Sequence, residues 1–254
     1  MIQRHAYGQR CWWCGNRADS QEHRYKKADI TRLFGKGPYK GDDGLSRVLD
    51  GRMRPVQGPN SKELMFRANL CQKCNNERSQ PLDLAYDQFI AHLEANAPSI
   101  LASKRIQFSN VFGSGWRSER ENVIRYYVKH IGCRLSETGL LVDPRVRDYL
   151  DGKGPLVSVE MYFEIREDIV AMEAKLRAQQ LPEGIAWIGD GLAEHQPSRG
   201  TFSGFRSHVG YRWLRANYMY DETLTGQFNS DPTDELLLGT GFNVDPVTIY
   251  PARR

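Results

Sequence analysis

Two Cys-x-x-Cys pairs, Cys11-Trp12-Trp13-Cys14 and Cys71-Gln72-Lys73-Cys74, constrain this chain more than any other feature. Two residues between cysteines is the spacing at which both sulfurs of a tight knuckle face one ion. Four thiolates then complete a tetrahedral zinc site with Zn–S bonds of about 2.3 Å. The 56 residues between Cys14 and Cys71 exceed the interval of a zinc ribbon, so structure forms between the knuckles. The competing assignments are two disulfides or unrelated buried thiols; a reducing compartment keeps thiols free for metal. Cys133 stands alone and reads as a small buried hydrophobe.

The residues beside the knuckles carry chemistry. Glu22-His23 follows the first pair, with Arg24, Lys26 and Lys27 close behind, and Asn75-Asn76 follows the second. A phosphodiester resists water until a base deprotonates the attacking water and a cation neutralises the scissile phosphate. An imidazole with an unperturbed pKa of about 6.5 accepts a proton at neutral pH. A carboxylate and an amide oxygen are hard ligands of the kind Mg²⁺ takes.

In this order, CxxC, acid-His, CxxC-Asn, the sequence over residues 8–95 resembles the HNH (His-Asn-His) nucleases. The likeness is to the subset whose ββα-metal core is stapled by a four-cysteine zinc. The resemblance implies His23 as general base and Glu22 with Asn75 or Asn76 as ligands of catalytic Mg²⁺ or Mn²⁺. It further implies that Cys11, Cys14, Cys71 and Cys74 hold a structural Zn²⁺ and do no chemistry, and that the product carries a 5′-phosphate. The family's middle Asn falls on Phe66 here, and the nearest Asn is Asn69.

Charge is placed unevenly. Residues 1–110 carry 18 Lys+Arg against 11 Asp+Glu, and residues 111–254 carry 17 against 20, so the basic excess travels with the expected core. That polarity suits a phosphate backbone, although ordinary solvated charge reaches similar values. Arg24, Lys26, Lys27, Lys73 and Arg78 are the candidate phosphate contacts. No apolar run approaches the ~20 residues that span a bilayer, the N-terminus has no signal-peptide core, and free cysteine pairs point to the cytoplasm.

Taken in order, residues 1–30 hold the first knuckle and a Glu22-His23 strand. One of Trp12 and Trp13 reads as core beneath the zinc, with base stacking as the alternative. Residues 31–62, punctuated by Gly35, Gly37, Pro38, Gly41, Gly58 and Pro59, read as a loop with a short hairpin. Its Lys36, Lys40, Arg47, Arg52 and Arg54 either clamp nucleic acid or are simply solvated. Residues 63–70 read as a second strand. Ser79 and Pro81 mark a helix start, and Leu82, Ala85, Tyr86, Phe89, Ile90 and Leu93 form one apolar face. Asp83 and Asp87 beside that face are solvated carboxylates or metal ligands.

Residues 96–117 read as a connector. Ser118 opens a capping box for a helix with Val123, Ile124, Tyr127, Val128 and Ile131 on one face and Arg120, Arg125, Lys129 and His130 as its basic members. Asp143-Pro144 starts a short helix to Leu150. Val157 to Ile165 alternates as a half-buried strand, residues 167–180 suit a helix, and Ile185–Ile188, Gly210–Tyr220 and the tail add strands. Arg199, Arg206, Arg212 and Arg215 among Phe202, Phe205, Tyr211, Trp213 and Tyr218 form either a recognition surface or the in/out pattern of a sheet.

The expected fold is α+β: a zinc-stapled ββα-metal nuclease core at 1–110, then a smaller α+β accessory domain at 111–254. The expected activity is metal-dependent endonucleolytic hydrolysis, DNA being the expected substrate. The rivals are a non-catalytic zinc-stapled module that binds nucleic acid or protein, and a nuclease subunit active only in a larger assembly. The C-terminal half offers a surface for a protein partner or a second copy of the chain.

Overall fold

The computed structural model describes residues 10–40, 45–49, 52–180, 186–188, 192–196, 201–221, 223–224, 233–241 and 248–251. Gly41, Ile185 and Arg199, named above, lie outside the described residues. The chain is mixed α+β. Its first half holds α1 (Lys27–Phe34), the hairpin β1 (Leu45–Leu49) and β2 (Arg52–Val56), α2 (Gln80–Ala95), α3 (Ala97–Ser103), β3 (Arg105–Gln107), α4 (Phe108–Phe112) and α5 (Trp116–Glu137). There follow α6 (Pro144–Leu150), β4 (Val159–Arg166), α7 (Glu167–Ala178), β5 (Ala186–Ile188), β6 (Leu192–Gln196), β7 (Thr201–Tyr211), β8 (Leu214–Asp221), β9 (Glu235–Leu237), β10 (Gly239–Gly241) and β11 (Thr248–Pro251).

The main sheet has nine strands in the order β10-β4-β8-β7-β5-β11-β1-β2, with β6 also on β7; β3 and β9 form a separate pair. Its centre is the antiparallel β4-β8-β7 set, and β10 lies parallel to β4. The expected alternation is present where β4 starts: Val159 and Met161 are buried, Glu160 and Tyr162 exposed. Beyond Phe163 the strand is buried on both faces.

Two helices position the site. All six apolar-face residues of α2 are buried, as its period requires. The long α5 is different: Tyr126 to Leu135 are all buried, so this middle stretch has no solvent stripe, while Arg117 and Ser118 near its start are exposed. The two pack through Tyr86 stacked on Tyr126, ring centroids 3.8 Å apart. Gly132 of α5 lets the Trp12 ring approach so closely that a Cβ there would stand 2.4 Å from a ring carbon. The buried cluster runs from Cys11 to Leu238, through the expected boundary near residue 110.

Several expectations are corrected. Residues 96–117 form α3, β3 and α4 instead of a connector, and α5 starts at Trp116, which leaves the Ser118 box inside it. Residues 27–34 form α1. Residues 63–70 are not one strand: a 3-10 turn occupies Lys62–Leu64, and only single bridges, His23 to Met65 and Ser20 to Leu70, join the segment to residues 20–23. Gly210–Tyr220 spans two strands, because the chain reverses at Arg212-Trp213. No Asn-Gly signal marks that reversal; Arg212 adopts φ 49° and is held by a two-bond pair to Glu173 at 2.9 and 3.0 Å. The aromatics Phe205, Tyr211, Trp213 and Tyr218 are core. The expected hairpin in 31–62 is present as β1–β2.

Candidate functional site

The first knuckle is closed by backbone bonds. Cys11 N–H donates to the Asn16 carbonyl at 2.6 Å, and Gly15 N–H to the Cys11 carbonyl at 2.8 Å, Gly15 taking φ 80°. The second begins a π-helical turn, Lys73–Arg78, that runs into α2. Trp12 N–H donates to the Asn69 carbonyl, and Asn69 Nδ2 donates to the Cys133 carbonyl, so both knuckles are fastened to α5. Asn69 is therefore a structural tie, and Phe66 is fully buried.

The four sulfurs of Cys11, Cys14, Cys71 and Cys74 lie within 4.8 Å of one another, close enough to hold one metal ion. Cys14 and Cys71 Sγ are 3.6 Å apart; a tetrahedron with metal–sulfur bonds of about 2.3 Å has edges of about 3.8 Å. An all-sulfur tetrahedral donor set suits zinc or iron–sulfur chemistry. Burial pushes the Cys11 and Cys74 thiols above their ordinary value, a preference that a bound cation reverses by taking the thiolate.

Beside the sulfurs lies an open cleft of about 710 Å³, lined by Glu22, His23, Asn75, Asn76, Asp83 and Asp87. Phe66 N–H donates to the Glu22 carbonyl and Arg24 N–H to that of Leu64, which holds the acid-His pair extended against residues 64–66. His23 Nε2 lies 3.3 Å from the Pro59 carbonyl. A carbonyl only accepts, so Nε2 carries the hydrogen and Nδ1 the lone pair. Burial lowers the His23 pKa, with Lys27 and Lys129 adding like charge, so the ring is neutral at pH 7.

Asn75 and Asn76 differ. Asn75 Nδ2 donates to Ser20 Oγ at 2.9 Å and to the Gln21 carbonyl at 3.2 Å, which orients the amide; its buried Oδ1 has no partner. Asn76 is exposed. A second buried oxygen without a partner is Asp87 Oδ1. These two oxygens have the unused lone pairs a hard cation requires. The carboxylates do not converge as the thiolates do: among the described residues the four-cysteine group alone meets the spacing for a metal site built from His, Cys, Asp and Glu.

No local pattern pointed to Lys129 as a member of this cleft. It is 1% exposed, and its Nζ lies 3.4 Å from Glu22 Oε2 and 3.1 Å from Asp83 Oδ1. Burial opposes its charge, but the two carboxylates outweigh that and raise its pKa. Burial also raises the Glu22 carboxyl, Lys129 holding it down. Lys26 is tied in as well, 3.0 Å from Asp87 and 3.8 Å from Asp83.

Among the candidate phosphate contacts, three are engaged internally. Lys26 serves the carboxylates. Arg24 pairs with Glu137 and covers the Phe66 ring. Arg78 pairs with Asp151, covers the Trp13 ring and donates to Cys74 Sγ. Lys27, which lines the cleft, and Lys73 are exposed. No helix among the described residues is long and apolar enough to cross a membrane. Comparison with protein-family models, curated proteins and solved structures returned no match.

Proposed function

We propose that this chain is a metal-dependent endonuclease of the HNH type, with DNA as its substrate and a structural zinc on the four cysteines. The observation that carries the reading is His23, its Nε2 3.3 Å from the Pro59 carbonyl, sharing one cleft with Glu22 and the unpartnered Asn75 Oδ1. His23 Nδ1 takes the proton of the attacking water. Asn75 and Glu22 would hold Mg²⁺ or Mn²⁺, a cation that when bound neutralises the scissile phosphate and the departing oxygen. Asn75 is preferred to Asn76 because its amide is already oriented. Asp87 is a further candidate ligand through its free Oδ1. Lys27 and Lys73 are free to meet the backbone.

One observation favours a non-catalytic module: Lys129 already places a cation on Glu22 and Asp83. The two readings separate on purified protein and supercoiled plasmid with Mg²⁺ or Mn²⁺. The nuclease reading expects wild type to nick the plasmid and His23→Ala to lose that activity while binding DNA as before. Binding by both without cutting in any divalent metal would establish the module instead.

A further inference from the structure

We infer that the β1–β2 hairpin is a docking ribbon for double-stranded nucleic acid: Arg52 and Arg54 meet backbone phosphates while Met53, on the other face of β2, enters the groove. The class of partner rests on the reading above; the placement rests on the hairpin itself.

Among the described residues β2 is the outer edge of the nine-stranded sheet and pairs with β1 alone. A strand that packs on a core hides one face along its length; here Arg52, Met53, Arg54 and Pro55 are all exposed, so the far part of β2 is open on both faces, while Leu45, Arg47 and Val56 nearer the base are buried. Met53, at 68% exposure, is the most exposed large apolar side chain among the described residues. Side chains alternate along a strand, so Arg52 and Arg54 share one face and Met53 takes the other.

Among the described residues the arginine face is short of negative charge. Arg54 stands opposite Arg47 in the register, a like-charge pairing that costs stability. The pair shares one acidic residue: Arg47 donates to the Glu63 carbonyl at 2.9 Å, and Arg54 lies 3.7 Å from the Glu63 carboxylate. Arg52 makes no ion pair among the described residues. A polyanion relieves this arrangement.

The edge suits a nucleic acid better than a protein strand. Pro55 cannot donate to a ladder, and arginines along an edge oppose strand addition. A two-stranded ribbon fits a duplex groove, and an apolar side chain at its exposed end can wedge between base steps.

The ribbon stands on a fixed base that leads to the cleft. Leu45 and Val56 pair across it and are buried. Tyr39 N–H donates to the Gln57 carbonyl. Pro59, three residues beyond the end of β2, supplies the carbonyl that holds His23. A duplex seated on the ribbon is thereby brought to the side of the cleft where His23 is held.

The test is binding of the full chain to a fluorescein-labelled duplex of mixed sequence, without divalent metal, across a KCl series. Each phosphate contact contributes a slope of about −0.9 in log K against log[salt]. R52Q/R54Q is expected to flatten the slope by about two contacts' worth and to weaken binding. M53A is expected to keep the slope and to lose the fluorescence rise of a 2-aminopurine placed in the duplex. All three residues are exposed, so folding is retained, and a thermal melt checks it; K175Q on α7 serves as the control. An unchanged slope and affinity in R52Q/R54Q overturns the inference, as does failure of wild type to bind, or a DNA-independent dimer that R52Q/R54Q abolishes. If R52Q/R54Q still nicks plasmid as wild type does and binds with the same slope, the ribbon falls and the nuclease reading stands. If binding depends on Arg52 and Arg54 but no metal supports cutting, the reverse holds.

Discussion

Lys129→Met tests the reading of the buried charge network. The substitution keeps the bulk and removes the ammonium that bridges Glu22 and Asp83. Breaking a buried ion pair from one side costs about 3–5 kcal/mol, because the remaining charge is stranded. Asp83 is partly relieved: its side chain is 28% exposed, and it keeps Lys26 at 3.8 Å and the Ser79 hydroxyl at 2.9 Å. Glu22 is 13% exposed and has no other ion pair among the described residues, so it dominates the cost. The lower end, about 3 kcal/mol, is expected, which for a chain of this size lowers Tm by about 6–12 °C.

The pH dependence has a defined sign. Burial already raises the Glu22 carboxyl, and loss of Lys129 raises it further. A carboxyl whose folded pKa exceeds its unfolded one loses stability as pH rises through the folded value, and the loss is absent below the unfolded value. The deficit of Lys129→Met is therefore larger at about pH 8 than at about pH 5. Calorimetry at both pH values measures it, and adding Glu22→Gln should restore most of the loss. A Tm within about 2 °C of wild type at the higher pH, or a deficit that ignores both pH and Glu22→Gln, would refute the reasoning.

Two further perturbations test the metal centre and its packing. Cys74 is 2% exposed among the four sulfurs, so Cys74→Ser or removal of the ion by a chelator should lower Tm and open the knuckles to protease, since ion binding is coupled to folding; zinc stoichiometry by mass spectrometry accompanies the melt, and an unchanged melt in ion-free protein would contradict it. Gly132→Ala places a Cβ 2.4–2.7 Å from Trp12 ring carbons; the overpacking, about 1–3 kcal/mol, exceeds the ~1 kcal/mol gain in helix propensity. A lower Tm with a shifted tryptophan emission is expected, and a Tm at or above wild type would count against the close approach.

The elements legible in the sequence share one property: their signal lies within a few consecutive residues. The apolar face of α2 is spelled out from Leu82 to Leu93, and all six of its members are buried. Asp143-Pro144 starts α6, with the Asp143 side chain accepting from the Arg145 N–H. What was misjudged lacked a local sign. The Arg212-Trp213 reversal has neither Gly nor Asn, and Glu173, far off in sequence, holds it. Residues 45–47 pair with residues 249–251 of β11, a register that no periodicity in either segment encodes.

The amino-acid sequence by itself determined the two sulfur pairs, because Cys-x-x-Cys spacing brings the ligands of each pair together whatever surrounds it; the fold brings the pairs, 56 residues apart, into one cluster. It also marked Glu22-His23 and Asn75-Asn76 as the candidate site residues. Only the tertiary structure decided which side chains share their cleft. It turned Lys129 inward from the fully buried middle of α5, distinguished Asn75 from Asn76 through bonds to Ser20 and Gln21, and left Asp87 Oδ1 without a partner. The physical reason is range: spacing acts through a few covalent bonds, whereas burial and charge pairing depend on segments that meet only after the chain has folded.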